Sequence, residues 1–260
     1  MKNVKKNIFN LIFLFLVFGL TIYGVFKGED ITKVVQVIQN AQFEFIFFGI
    51  VCVVFFIWGE SIIIYYLMRS LSIKLKKWKC FLFSSVGFFF SCITPSASGG
   101  QPMQIYYMRK EKIPIPVSTL VLMIVTITYK MVLVLIGVFL LIVGQGFVKK
   151  YLTGILPVFY LGVGLNVMCV TFMLILVFHP VLAKAMMKKG LRLLEKLHIL
   201  KQKEERMEKL EESMDLYNDT AKYLKSHVMV MVNVLAITFL QRIALFLTTY
   251  FVYCAFGLSG

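Results

Sequence analysis

Ser91-Cys92-Ile93-Thr94-Pro95-Ser96-Ala97-Ser98-Gly99-Gly100-Gln101-Pro102-Met103-Gln104 separates two short apolar runs, residues 80–94 and Met103–Met108. The stretch is rich in small residues and bracketed by Pro95 and Pro102. The rest of the chain is built of apolar runs long enough to cross a bilayer. Irregular backbone at membrane depth exposes amides and carbonyls that lipid cannot satisfy, so such a break survives only inside protein or beside a watery cavity. In transporters a broken helix of this kind marks where a polar substrate is handled. Neither flanking run has the roughly 20 residues that a crossing needs. Two short pieces about a Gly/Pro turn predict a re-entrant helical hairpin, closed by Pro114 and Pro116.

Outward from this break, five long apolar runs predict full spans: Ile8–Phe26, Phe43–Met68, Val117–Val143, Leu156–Phe178 and Val228–Phe256. The first follows three lysines within Met1–Lys6. It is long for a signal peptide and no small-x-small cleavage site follows it, so it reads as a first transmembrane helix. With 59% apolar residues and a mean hydropathy of +0.83, the chain falls among polytopic membrane proteins. The predicted fold is an all-α polytopic integral membrane bundle with a re-entrant helical hairpin, one membrane domain over residues 1–260.

The net charge of +15 does not point to nucleic acid. It follows the excess of Lys and Arg expected in cytoplasmic loops. If the hairpin enters and leaves on one face, the inner segments hold 22 basic residues and the outer loops 4. If residues 80–108 crossed once, the rich segment 179–227 would fall outside. The charge pattern therefore predicts five spans, one re-entrant hairpin and a cytoplasmic N-terminus.

Segment 179–227 carries its own period. Met207, Leu210, Met214, Tyr217, Ala221 and Leu224 alternate spacings of three and four, one apolar stripe on a helix. It reads as an amphipathic helix packed beneath the spans or lying in the interface. Read as a coiled coil it is a homo-oligomer seam, short at under about three heptads.

Cys52, Cys80, Cys92, Cys169 and Cys254 are scattered singly, with no C-x-x-C pair, and read as apolar packing residues. The three histidines are far apart, so no metal site or cofactor is expected. No G-x-x-x-x-G-K, H-E-x-x-H or G-x-S-x-G occurs, and no catalytic residue is assigned.

Two groups of residues carry candidate chemistry. Glu60, Lys130 and Arg242 fall inside spans, where each costs about 2.5–3.5 kcal/mol at the bilayer centre. Such residues persist when they pair or face a cavity. Glu60 is expected to pair with Lys130 or Arg242, leaving one positive charge for an anionic ligand; the alternative is a purely structural ion pair. The second group is the break. Pro102 suits a first helical turn, where its missing N–H is not needed. Ser96, Ser98, Gly99, Gly100 and Gln101 then lie at a half-helix N-terminus, whose free amides and positive dipole end favour an anion such as a lipid phosphate. Arg109 and Lys110 add charge at the far end. The alternative is a Gly-rich tip that merely packs.

Thr94-Pro95-Ser96-Ala97-Ser98-Gly99-Gly100-Gln101-Pro102, followed by Tyr106-Tyr107-Met108-Arg109-Lys110, resembles the P-S-x-x-G-G-[EQ]-P…Y-x-x-[RK] signature of the lysylphosphatidylglycerol synthase transmembrane region. This is the flippase-like membrane part of bacterial multiple peptide resistance factors. The order of elements agrees over nearly the whole chain. The resemblance implies a bacterial cytoplasmic-membrane protein that binds and translocates an anionic phospholipid, phosphatidylglycerol or its lysyl ester. It also implies resistance to cationic antimicrobial peptides, whose attraction depends on anionic headgroups. By family name the alternative is a phosphatidylglycerol lysyltransferase; a non-transporting partner subunit is a third reading. Full synthases carry a soluble aminoacyl-transferase domain to which nothing here corresponds, so that domain is an expected separate partner. Many relatives carry Glu-Arg where this chain has Tyr129-Lys130. The family also continues into further spans, so a chain ending at Gly260 reads as a fragment or a minimal member.

Overall fold

The computed structural model describes residues 19, 23, 35, 36, 38–144, 146, 153–179, 182–189 and 204–257, with side chains of the last segment from residue 208 onward. The predicted span Ile8–Phe26 lies outside the described residues, except for positions 19 and 23. Among the described residues the chain is all-α and contains no strand. The helices are α1 (Phe43–Ser70), α2 (Lys77–Ile93), α3 (Gly100–Lys110), α4 (Ile115–Ile142), α5 (Leu156–Phe178), α6 (Glu204–Ser226) and α7 (Val228–Ala255), with 3₁₀ turns at Pro95–Ala97 and Thr153–Ile155. Residues 182–189 are also helical.

Four helices, α1, α4, α5 and α7, are long and apolar enough to cross a membrane. A 28-residue helix is about 42 Å long at 1.5 Å per residue, ample for a hydrocarbon core of about 30 Å. Their outer faces carry exposed Phe55, Trp58, Phe139, Leu161 and Leu240, which lipid solvates without cost. The chain is a multi-pass membrane protein and its fold is the polytopic helical bundle that the apolar runs predict.

Helix α4 begins two residues before the predicted span. Pro114 is its extended N-cap and Pro116 lies in its first turn, where a preset φ favours the helix. Pro116 therefore opens α4 rather than closing the hairpin. Helices α1 and α3 end alike. Ser72 (φ 60°) and Lys112 (φ 61°) adopt the left-handed conformation. The next amides, Ile73 and Ile113, return to Met68 O at 2.9 Å and Met108 O at 3.2 Å. This is the Schellman arrangement with its apolar contact, built without the usual glycine.

By compactness the chain divides into two units. Met1–Ile50 with Thr248–Gly260 forms the first. There the Gln42 N–H donates to Ala255 O at 2.9 Å, and Phe48 stacks on Phe251 with centroids 5.6 Å apart. Val51–Leu247 forms the second and holds both the hairpin and the main core. That core joins Ile63, Ile64, Leu67 and Met68 of α1 to Phe83 of α2, Met108 of α3 and Leu120, Ile124 and Ile127 of α4.

Helix α6 lays its predicted stripe on α4 and α5. Met214, Tyr217, Ala221 and Leu224 are buried, and Leu210 packs partly. The Met207 side chain lies outside the described residues. Burying a side chain such as Leu224 is worth about 1.5–3 kcal/mol. The Tyr217 hydroxyl donates to Leu176 O at 3.4 Å. Its burial pushes the phenol up to about 12, so it remains a neutral donor. Ion pairs Lys184–Asp215, at 3.7 Å, and Lys188–Glu211 tie residues 182–189 to α6.

Candidate functional site

Helices α2 and α3 pack against each other as an antiparallel hairpin. At its base Lys79 Nζ reaches Glu111 Oε1 at 2.6 Å. Contact between the helices depends on small residues: Gly87 and Ser91, one turn apart on α2, face Gly100 on α3 and make room for the Gln104 side chain one turn on. A Cβ on Gly100 would sit 2.1 Å from Ser91 Oγ and 2.7 Å from Gly87 O. A Cβ on Gly87 would sit 2.4 Å from Gln104 Nε2. Small residues spaced by four let helix backbones approach closely in a membrane.

Thr94 organises the tip. Its hydroxyl donates to Phe90 O at 2.6 Å and accepts the Gly99 N–H at 2.9 Å. Both the Ser98 hydroxyl and the Ser98 N–H donate to Pro95 O, at 2.9 Å and 3.2 Å. The strained backbone lies at Ser96 and Ala97, with φ of 54° and 56°. Left-handed geometry costs a non-glycine residue roughly 1–2 kcal/mol. Gly99, by contrast, has φ −81°. Its lack of a Cβ serves packing, since a Cβ there would meet Thr94 Cγ2 at 2.5 Å.

Two contacts set the hairpin's register along α1. Lys77 Nζ lies 5.9 Å from the Tyr65 ring centroid, and the Phe88 and Phe56 rings are 4.9 Å apart. Helix α2 thus runs antiparallel to α1, with Phe88 level with Phe56 near the middle of α1.

A polar cluster occupies that level. Gln104 Nε2 donates to Glu60 Oε1 at 2.7 Å. Arg242 of α7 inserts its guanidinium between two rings, 5.0 Å from the centroid of Phe56 and 4.4 Å from that of Tyr129. Such cation–π contacts are worth about 0.5–2 kcal/mol each. Among the described residues, Arg242 Nε is buried and has no hydrogen-bond partner. Nearby, Gln101 Nε2 donates to Thr126 Oγ1 at 2.7 Å. Gln241 Nε2 donates to Phe56 O at 2.9 Å, and Gly59 leaves room for it, since a Cβ there would sit 2.8 Å from Gln241 Cγ.

The predicted residues therefore separate into three places. Glu60 and Arg242 meet around Phe56, Gln104 and Tyr129. Among the described residues neither makes an ion pair within 4 Å, so Glu60 is held by an amide rather than by Lys130 or Arg242. Lys130 Nζ turns to Asn166 Oδ1 of α5 at 3.4 Å, because successive helical residues diverge by about 100°. Ser96, Ser98, Gly99, Gly100 and Gln101 form the tip, where chain groups already occupy the Ser98 hydroxyl and the Gly99 amide. Gly100 and Gln101 supply first-turn amides, which have no earlier helical turn to bond. Arg109 is exposed at the hairpin base, eight residues from Gln101, or about 12 Å along the helix. With Lys112 and Glu212 it lines a separate cleft of about 420 Å³.

Gln104, Tyr129, Thr94, Thr126 and Asn166 are neutral, so a search for charged residues in spans passes over them. The spacing of Gly100 and Gln104 opposite Gly87 and Ser91 is the signal that points to Gln104.

The family model described as the lysylphosphatidylglycerol synthase TM region matches residues 7–260. No curated protein and no solved structure matches the chain. Helices of spanning length, a small-residue hairpin carrying the S-x-S-G-G-Q-P stretch and a match over nearly the whole length agree. The chain belongs to the lysylphosphatidylglycerol synthase transmembrane-region family.

Proposed function

We propose that this protein binds an anionic phospholipid, phosphatidylglycerol or its lysyl ester, and carries the headgroup across the bilayer along the hairpin. The observation that carries this reading is the buried Nε of Arg242, which has no hydrogen-bond partner among the described residues, in a cluster that the hairpin joins through the Gln104–Glu60 hydrogen bond. A buried N–H without an acceptor costs about 1–3 kcal/mol. A phosphate oxygen entering the cluster satisfies it, and a guanidinium is the side chain best shaped for that partner. The first-turn amides of Gly100 and Gln101, with the exposed Ser96 hydroxyl, supply further donors to the phosphate. Glu60 balances Arg242 in the empty state and offers a carboxylate to a lysyl ammonium in the loaded one. Arg109 collects anionic headgroups at the hairpin base.

In this reading the hairpin is re-entrant. The protein sits in a bacterial cytoplasmic membrane with its N-terminus inside, and a separate aminoacyl-transferase domain makes the lysyl ester. Exporting that ester lowers the negative surface charge that attracts cationic peptides. The test is a headgroup-labelled phosphatidylglycerol in proteoliposomes, with leaflet exposure read by quenching. Arg242→Gln and Ser98→Leu are expected to slow translocation about tenfold or more, the equivalent of 1.4 kcal/mol, while Leu240→Ala is expected to leave it unchanged. Unaltered rates in both site variants would overturn the reading. The family's description also names a synthase. Lysylphosphatidylglycerol in lipid extracts of cells expressing only this chain would favour synthesis over transport.

A further inference from the structure

A second crevice lies where α4, α5, α6 and α7 meet. It encloses about 570 Å³, and Met131, Leu174, Phe178, Leu224 and Met231 supply an apolar wall. It shares no lining residue with the Glu60–Arg242 cluster. One lining residue is charged: Lys225, whose Nζ lies 5.6 Å from the centroid of the Phe178 ring. Among the described residues Lys225 makes no ion pair within 4 Å.

The ends of three helices fix the level of this crevice. Phe178 is the last residue of α5, Lys225 stands in the last turn of α6, and Val228 opens α7. The crevice is therefore apolar toward the interior of the spans and cationic where the spans give way to the polar segment. Its rim is open, with Phe178 41% and Val228 65% exposed. The volume falls within the range of small-molecule sites, and one oriented charge on an otherwise apolar wall is their usual make-up. Its occupant must be long and apolar, with an anion at one end. Basic pockets between transmembrane helices at the membrane boundary recognise anionic headgroups in this way.

We propose that this crevice holds one acyl chain of an anionic phospholipid whose phosphate pairs with Lys225. The site requires only that the protein be embedded in a membrane, and it stands whether or not the hairpin transports lipid. Its selectivity is electrostatic: a net-neutral lipid places an ammonium beside its phosphate and gains less from Lys225.

The test uses the full chain in phosphatidylcholine nanodiscs, with trace phosphatidylglycerol or phosphatidylcholine bearing a photoactivatable group midway along one acyl chain. Labelled peptides are mapped by mass spectrometry. The phosphatidylglycerol probe is expected to label residues 174–178 and 221–231 about fivefold more than the phosphatidylcholine probe, the advantage of one lysine near a membrane surface. Lys225→Gln should bring that ratio close to one, and Lys225→Arg should preserve it. Met231→Trp, or Leu174→Trp if the first variant does not fold, should block labelling by both probes. Arg242→Gln, which disables the proposed transport, should leave the labelling intact. Equal labelling by the two probes in the unsubstituted protein would overturn the proposal. So would labelling that the tryptophan leaves in place, or labelling lost in Arg242→Gln, which would assign the contact to the hairpin cluster.

Discussion

Arg242 and Glu60 share one problem, a charge inside an apolar helix, and solve it differently. Arg242 spreads its charge over the Phe56 and Tyr129 rings. Glu60 accepts a hydrogen bond from Gln104. Hydrogen bonds to charged groups are worth about 1.5–3 kcal/mol, and stranding a buried carboxylate forfeits that stabilisation. Gln104→Leu is expected to destabilise the protein by roughly 1–3 kcal/mol, measured by chemical unfolding in mixed micelles. Gly87→Ala should act through the same bond, because its Cβ would displace the Gln104 amide. The double variant should then lose no more than Gln104→Leu alone, since coupled sites do not add. Full additivity would refute that connection. Glu60, Lys130 and Arg242 were legible in the sequence because ionisable residues in spans are costly and hence conspicuous. Their partners were not, because an amide or a phenol ring costs little there and draws no attention. The resemblance places a glutamate-arginine pair in many relatives at Tyr129-Lys130. In this chain the Tyr129 ring, not a carboxylate, faces Arg242.

At the scale of elements, the hairpin was readable from its short apolar runs, while its tight contact was not. The sequence places Gly99 and Gly100 at a half-helix N-terminus open to an anion; in the structure the lack of a Cβ at each admits Thr94 and Ser91, and the left-handed residues are Ser96 and Ala97. Gly100→Ala should therefore cost about 1–3 kcal/mol, the usual penalty for overpacking. Ser91→Ala should recover only part of it, because the Gly87 carbonyl remains 2.7 Å from the new Cβ. Complete rescue in thermal unfolding would show that Ser91 alone sets the spacing. Helix α6 is held differently, by its buried stripe and by ion pairs at its polar edge. The Lys188 ammonium, by hydrogen bond and then by charge, with Lys184 beyond it, holds the Glu211 carboxyl below the usual carboxylate range. A depressed folded-state pKa means this contribution is present above the ordinary carboxylate pKa and lost as pH falls through the lowered value. The hydrogen-exchange protection of residues 208–226, relative to the intrinsic rate at each pH, should accordingly fall on acidification. Lys188→Ala should move the midpoint of that change upward, toward an ordinary glutamate. A midpoint that stays put would mean that Glu211 does not tie α6 down.

For the whole molecule, the open physical question is how many times the chain crosses. Hydropathy alone is ambiguous over residues 80–108, because α2 with 17 residues is about 26 Å long and α3 with 11 is about 16 Å. Either helix falls short of a bilayer core of about 30 Å, yet the two end to end would exceed it. The Lys79–Glu111 pair brings the two ends of the hairpin together, and the positive-inside count assigns 22 basic residues to one face when the hairpin turns back. Both arguments have residues 80–108 turn back; with the four span-length helices among the described residues, and the apolar run Ile8–Phe26 read from the sequence as a fifth span, the number of crossings is then odd. A phosphatase fused after residue 260 should then be active on the outer face, and the same reporter fused after residue 200 should be inactive. Single cysteines at positions 74 and 112 should react from the inner face only. A cysteine at 97 should react with small polar reagents only to the extent that water reaches the tip. If residues 80–108 crossed instead, the C-terminal fusion would fall silent, the fusion at 200 would become active and positions 74 and 112 would react from opposite faces. The donors of Gly100 and Gln101 would then lie along an ordinary span, and an anion would have no backbone terminus to bind at mid-membrane.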